Sequence, residues 1–172
     1  MIKHQNLSLS ESEKLGLSKL KNLFTSERIG NYVDENIDRC LFDARYVSTN
    51  FPNKKILNVG GAPFIFEVMI RHITDDIFLT SLDIDPSEYS KEINDLGLEV
   101  IGCDIEKQSA RDNINFYDYD VLCICELFEH MRLDLIGTFE DIYNKMRPGS
   151  YLYLTTPNFF YLPNILGIIK AK

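Results

Sequence analysis

The sequence predicts an α/β fold: a mostly parallel sheet with helices on both faces, preceded by N-terminal helices. Three observations predict it. From about residue 54 onward, short apolar runs of strand length alternate with helix-length stretches, the pattern of crossovers between parallel strands. Residues 8 to 50 instead keep a helical period throughout. Each short run is followed by small or acidic residues, where an open parallel sheet places ligands beyond the carboxyl ends of its strands.

The elements follow in order. Ser8 or Ser10 caps a first helix, with Glu11 or Glu13 three residues on in the manner of a capping box. Leu15, Leu20, Leu23 and Phe24 then recur at helical spacing. Ile29, Val33, Ile37, Leu41, Ala44 and Val47 continue the period, and Phe51-Pro52-Asn53 closes the region. Strands are expected at residues 55–59, 77–82, 98–102, 119–125 and 151–155. Helices are expected at 64–72, at 86–96 with Pro86 in a first turn, and at 133–146, ending before Pro148-Gly149. Residues 1–50 read as an N-terminal helical lid or cap, 51–158 as a ligand-binding core, and 159–172 as a truncated tail.

Composition narrows the function classes. A chain of 172 residues, 45% hydrophobic and 26% charged, can bury the core of one ordinary globular domain. A net charge of −8 argues against a surface that tracks phosphates, so nucleic acid is not an expected partner. The cysteines, Cys40, Cys103, Cys123 and Cys125, suit neither a zinc knuckle nor a disulfide between the last two, and read as buried thiols in a reducing compartment. The N-terminus lacks the apolar core of a signal peptide and no run is long enough for a membrane span, so a cytoplasmic location is expected.

Chemistry concentrates after the strands. Gly60-Gly61-Ala62-Pro63 follows the first; small residues there let backbone approach a ligand and leave a helix N-terminus facing it, although a glycine pair is more often a plain turn. Asp83-Ile84-Asp85-Pro86 follows the second, roughly 20 residues on, where an acid can take both hydroxyls of a ribose. Asp83 is assigned that role and Asp85 the capping of the helix at Pro86. Gly102-Cys103-Asp104-Ile105-Glu106 follows the third: Asp104 can accept from an adenine amino group and Ile105 pack on the ring, the bland alternative being a solvated turn acid. Glu126-Leu127-Phe128-Glu129-His130-Met131 follows the fourth and is the densest polar cluster.

These segments, with Ile56-Leu57-Asn58-Val59 before the glycines and Arg147-Pro148-Gly149 to Thr155-Thr156-Pro157-Asn158 after them, resemble the class I S-adenosylmethionine-dependent methyltransferases of the methyltransferase-11 type over residues 54–158. The resemblance implies a Rossmann-like methyltransferase fold and S-adenosylmethionine as cofactor, with S-adenosylhomocysteine as product. It implies cofactor contacts from Asn58, Gly60, Gly61, Ala62, Asp83, Ile84, Asp104, Ile105 and Glu126, and makes His130 the candidate catalytic base. The implied reaction is in-line transfer to oxygen or nitrogen of a small-molecule, glycan or lipid-linked acceptor.

The chain departs from the family pattern in two ways. Asn58 stands where the family has an acid, and Ala62 and Phe64 where it has glycines; Asn58 can still bond a methionine amino group through its carbonyl but brings no charge. The final two strands are absent, so the expectation is a fragment, or a fifth-strand edge covered by a second copy or another partner. In some relatives Glu-x-x-Glu-His binds a divalent ion, which makes Glu126, Glu129 and His130 candidate ligands, but many relatives keep Glu-His without metal and none is expected here. Two rivals remain: a catalytically degenerate binding or assembly module, and a nicotinamide-dependent oxidoreductase, whose Gly-x-Gly-x-x-Gly fingerprint fails at Ala62 and Ile65.

Overall fold

The computed structural model describes residues 8–24 and 27–157; the tail expected at 159–172 lies outside them. Helices α1 (Glu11–Leu23) and α2 (Glu27–Asn50) come first, then β1 (Lys55–Val59), α3 (Ile65–Ile73), β2 (Phe78–Asp83), α4 (Ser90–Leu96) and β3 (Glu99–Gly102). The short α5 (Gln108–Arg111), β4 (Val121–Cys125), α6 (Leu135–Lys145) and β5 (Tyr151–Thr155) complete the order. The strands form one sheet in the order β3-β2-β1-β4-β5, every pair parallel. Strand order therefore reverses between β1 and β4, and the crevice above their carboxyl ends is where such sheets bind ligands.

Period-two alternation splits the core across the two faces. Ile56 of β1, Leu79 of β2, and Val121 and Cys123 of β4 pack under α1, α2 and α3 with Leu20, Leu41, Ala44, Val47 and Met69. Leu57 and Val59, with Leu82, Leu122 and Ile124, pack on the other face with Ile142 of α6 and Phe116. Helices α1 and α2 are thus tied into the main core against α3, and Val33, Leu41, Ala44 and Val47 are fully buried.

The first helix starts on the signal in the sequence. Ser10 accepts from the Glu13 amide while the Glu13 carboxylate accepts from the Ser10 amide, closing a capping box. Arg45 of α2 grips the same carboxylate through Nε and a terminal nitrogen, each at 2.7 Å. This pairing, with the cap, holds the buried Glu13 carboxyl far down, at about 2 against an ordinary 4.5. A depressed carboxyl stabilises the fold above its unfolded value and loses that contribution as pH falls. Glu13→Gln keeps the cap but loses the ion pair. It is expected to cost about 2 kcal/mol at pH 7, and the gap to wild type should close between pH 4.5 and 2 in acid-unfolding curves.

β1 and β5 begin and end where the sequence places them, whereas several other boundaries shift for local reasons. The stretch 86–96 splits into a 3-10 turn, Pro86–Tyr89, and α4, because Pro86 and the Asp85 cap tighten its start. β4 begins at Val121 since Tyr119 closes a 3-10 turn over Phe116–Asp118, and the Asp120 carboxylate turns to accept from the Lys55 amide. α6 begins at Leu135, capped by Asp134, because the Leu133 amide is taken by Glu106. α5 was not foreseen: four residues carry no period, and it is held by buried Arg111, which bonds Asp141 at 2.6 Å and the Ile105 carbonyl at 2.8 Å.

Candidate functional site

The loop after β1 turns back on itself at the switch point. Gly60 has φ +77°, and a Cβ there would lie 3.1 Å from the Leu127 side chain, so both conformation and space call for glycine. At Gly61 a Cβ would meet Glu67 Oε1 at 2.5 Å. The Ala62 amide donates to Asp83 Oδ2 at 3.1 Å, which ties this loop to the end of β2. Phe64 keeps the left-handed backbone, φ +65°, at a position where the resemblance calls for glycine. Its ring is fully buried and edge-on to Tyr89 at 5.8 Å, so about 1–2 kcal/mol of backbone strain is offset by apolar burial of similar or larger size. The loop is therefore not opened by the bulk of Phe64; the ring points into the core.

Beyond β1, β2 and β3 lies a cleft of about 200 Å³. Asp83 and Asp104 give it carboxylates, while Val59, Leu82, Ile84, Ile105, Leu127 and Met131 give it apolar walls. Ile84 is 70% exposed, an apolar side chain held out beside the acid. Asp85 is occupied as a cap, accepting from the Ser87 amide at 3.2 Å, so Asp83 is the acid that faces the cleft. Asp104 caps its own turn through the Glu106 amide at 3.2 Å and pairs with Lys107 at 3.0 Å. Glu106 accepts from the amides of Arg132 and Leu133, each at 2.6 Å, and so pins the segment after β4 against the cleft. His130 stands at the rim, its side chain 72% exposed and Nε2 3.9 Å from Glu129.

Asn58 points to the other side of the sheet, toward α2 and α3. Its Nδ2 donates to Glu67 Oε1 at 2.7 Å, and Ser81 Oγ donates to the same oxygen at 2.6 Å. Asn58 Oδ1 and Glu67 Oε2 are buried without a hydrogen-bond partner. Burial pushes the Glu67 carboxyl up, more than the two donors pull it back. A smaller cavity here is lined by Asn58, Gly60, Gly61, Ala62 and Pro63 from the loop side, and by Arg39, Cys40 and Asp43 from α2. Gly60 borders both cavities.

The structure thus gathers Gly60, Asp83, Ile84, Asp104, Ile105 and His130 around one cleft, and Asn58, Gly60, Gly61 and Ala62 around the second cavity. Glu126 has φ +54° at the end of β4 and is paired with Arg39 at 3.0 Å. Glu129 accepts from Thr156 at 3.3 Å. Glu126 turns to Arg39 while Glu129 stands beside His130, and among the described residues no group of three His, Cys, Asp or Glu side chains is arranged to hold a metal ion. Sequence reading missed Arg39, Asp43 and Glu67, and singled out the segments of Glu106, Leu127 and Met131 without giving those three a role. Glu67 carried a signal, the one charge in the apolar run Ile65 to Ile70; Arg39 and Asp43 look like the polar side of an amphipathic helix and carried none. The four cysteines are free thiols, and burial pushes Cys40 up to about 12. Among the described residues no helix is long and apolar enough to cross a membrane.

Neither a protein-family model nor a curated protein matches the chain in sequence. Solved structures match in fold. Coclaurine N-methyltransferase, bound to N-methylheliamine and S-adenosylhomocysteine, aligns with a TM-score of 0.52 at 20% identity over 69% of this chain. The CurJ carbon methyltransferase aligns with a TM-score of 0.58 at 14% identity over 91% of this chain. A methyltransferase dependent on S-adenosylmethionine from Aquifex aeolicus aligns with a TM-score of 0.52 at 19% identity, covering 90% of this chain and 86% of that one. The chain spans only 35% of coclaurine N-methyltransferase and 51% of the CurJ enzyme. The sheet order, the crevice at its reversal and these alignments agree: the chain has the fold of the class I, S-adenosylmethionine-dependent methyltransferases.

Proposed function

We propose that this chain binds S-adenosylmethionine in the cleft beyond β1, β2 and β3 and transfers its methyl group to a small-molecule, glycan or lipid-linked acceptor. The observation that carries the reading is the placement of Asp83, Asp104 and Gly60 around one cleft at the switch point. That donor set fits a nucleoside: a carboxylate at the end of β2 for a ribose diol, a second at the end of β3 for an adenine edge, and aliphatic side chains for the ring faces. Leu127 over Gly60 and the segment pinned by Glu106 close the cleft from the β4 side.

The sulfonium of the cofactor supplies an electrophilic methyl group. The work left to the protein is alignment of nucleophile, carbon and sulfur, so positioning is the main source of acceleration. For a hydroxyl acceptor, His130 at the rim takes the proton, with Glu129 beside its Nε2. A reducing compartment such as the cytoplasm suits the free thiols.

The second reading is a degenerate binding module, favoured by Asn58 in place of an acid and by its engagement with Glu67. Calorimetric titration with S-adenosylhomocysteine, and with NADH as control, separates the readings. Micromolar binding of the first and none of the second is the expected result. Absence of binding to S-adenosylhomocysteine at millimolar concentration overturns the cofactor assignment.

A further inference from the structure

The charge that Asn58 does not carry is present nearby on another element. Asp43 of α2 is 3% exposed and lines the same small cavity as Asn58 and Gly60. Its Oδ1 accepts from the Tyr153 hydroxyl of β5 at 2.7 Å, and among the described residues it has no ion pair. Burial raises its carboxyl, while the Tyr153 hydroxyl and the charge of Arg39 act the other way. Asn58 lines the same cavity, and its Oδ1 is buried without a hydrogen-bond partner. Arg39, one turn before Asp43, adds a positive charge to that wall and pairs with Glu126.

A cavity lined by a carboxylate, an unpartnered amide and a guanidinium matches an α-amino-acid zwitterion, and it shares Gly60 with the nucleoside cleft. Resting on the cofactor assignment above, we propose that Asp43 receives the ammonium group of the methionine end of S-adenosylmethionine, with Asn58 Oδ1 as the second acceptor. The negative charge at this subsite has moved from the strand β1 position to helix α2. Tyr153 is then a positioning residue: its hydroxyl fixes the Asp43 carboxylate from β5, 110 residues away in sequence.

The test compares ligands that share the nucleoside and differ at the amino-acid end. Wild type and Asp43→Asn, which is isosteric and can still accept from Tyr153, are titrated with S-adenosylhomocysteine, its desamino analogue and 5′-methylthioadenosine. Loss of one charge-assisted hydrogen bond should weaken S-adenosylhomocysteine binding to the variant about tenfold or more and leave 5′-methylthioadenosine within about twofold. Wild type alone should prefer S-adenosylhomocysteine over its desamino analogue by about tenfold, a result that does not depend on the variant folding. Equal affinity of wild type for those two ligands, or equal weakening of all three in the variant, overturns the assignment of Asp43 and leaves the cofactor reading standing. Failure of wild type to bind either S-adenosylhomocysteine or 5′-methylthioadenosine removes both.

Discussion

Glu67→Ala is expected to destabilise the protein by about 4 kcal/mol, whereas Glu67→Gln should stay close to wild type at pH 4.5. The Glu67 side chain is fully enclosed and its Oε1 accepts from both Asn58 Nδ2 and Ser81 Oγ. Alanine leaves those two buried donors without an acceptor and opens a cavity beneath α3. Each orphaned donor costs about 1–3 kcal/mol, and the cavity adds to that. Glutamine keeps the accepting oxygen. The pH dependence gives a second reading of the same site. Burial raises the carboxyl in the folded protein above its ordinary value of 4.5, so below that pH both folded and unfolded chains hold the proton. As pH rises above it, the unfolded chain ionises and the folded one resists, and stability is lost up to the folded value. Glu67→Gln has no such proton to lose. Its stability relative to wild type should therefore rise between pH 4.5 and 7 in urea titrations. A glutamine variant that tracks wild type at every pH would show that Glu67 is ionised in the folded protein.

Asp83→Ala is expected to weaken S-adenosylhomocysteine binding about 100-fold, the largest effect of any single change around the cleft. In the proposed role this carboxylate takes a ribose diol, and charge-assisted hydrogen bonds of that kind contribute about 1.5–3 kcal/mol each. It also accepts from the Ala62 amide at 3.1 Å, so the variant removes one tie between the glycine loop and β2, while the Gly60 and Gly61 amides still donate to the Leu82 carbonyl. Calorimetry on Asp83→Ala and Asp104→Ala, with thermal melting as the check on folding, measures this. Asp104 is engaged with Lys107 and its own turn, so its loss should cost about tenfold. A smaller effect at Asp83 than at Asp104 would reverse the assignment of ribose and adenine.

How much of this was legible depends on how local the cause is. The capping box at Ser10 and Glu13, the limits of β1 and β5, and the cap at Asp85 each follow from a few neighbouring residues. Asp83, Ile84, Asp104 and Ile105 were legible for a related reason. In a parallel sheet the residues just past each strand converge at one end, so naming the strands names the site. The place of the Phe64 ring was not legible, because sequence position does not reveal that a left-handed residue can send its ring into the core.

Asn58 changed most. The family resemblance implied that Asn58, inside the first strand, contacts the cofactor, with one fault, its missing charge. Alternation along β1 puts it on the α2 and α3 face, where Glu67 holds its Nδ2 and its Oδ1 stays bare beside Asp43. By itself the sequence determined the strands, their parallel sense and the acids at their ends, because apolar period and turn chemistry act over a handful of residues. Only the tertiary structure decided which distant charges meet: Arg39 with Glu126, Tyr153 with Asp43, and Glu67 with Asn58 and Ser81. Those pairings join separate helices and strands, because a buried polar group finds its partner across the packed fold, where linear spacing carries no record of it.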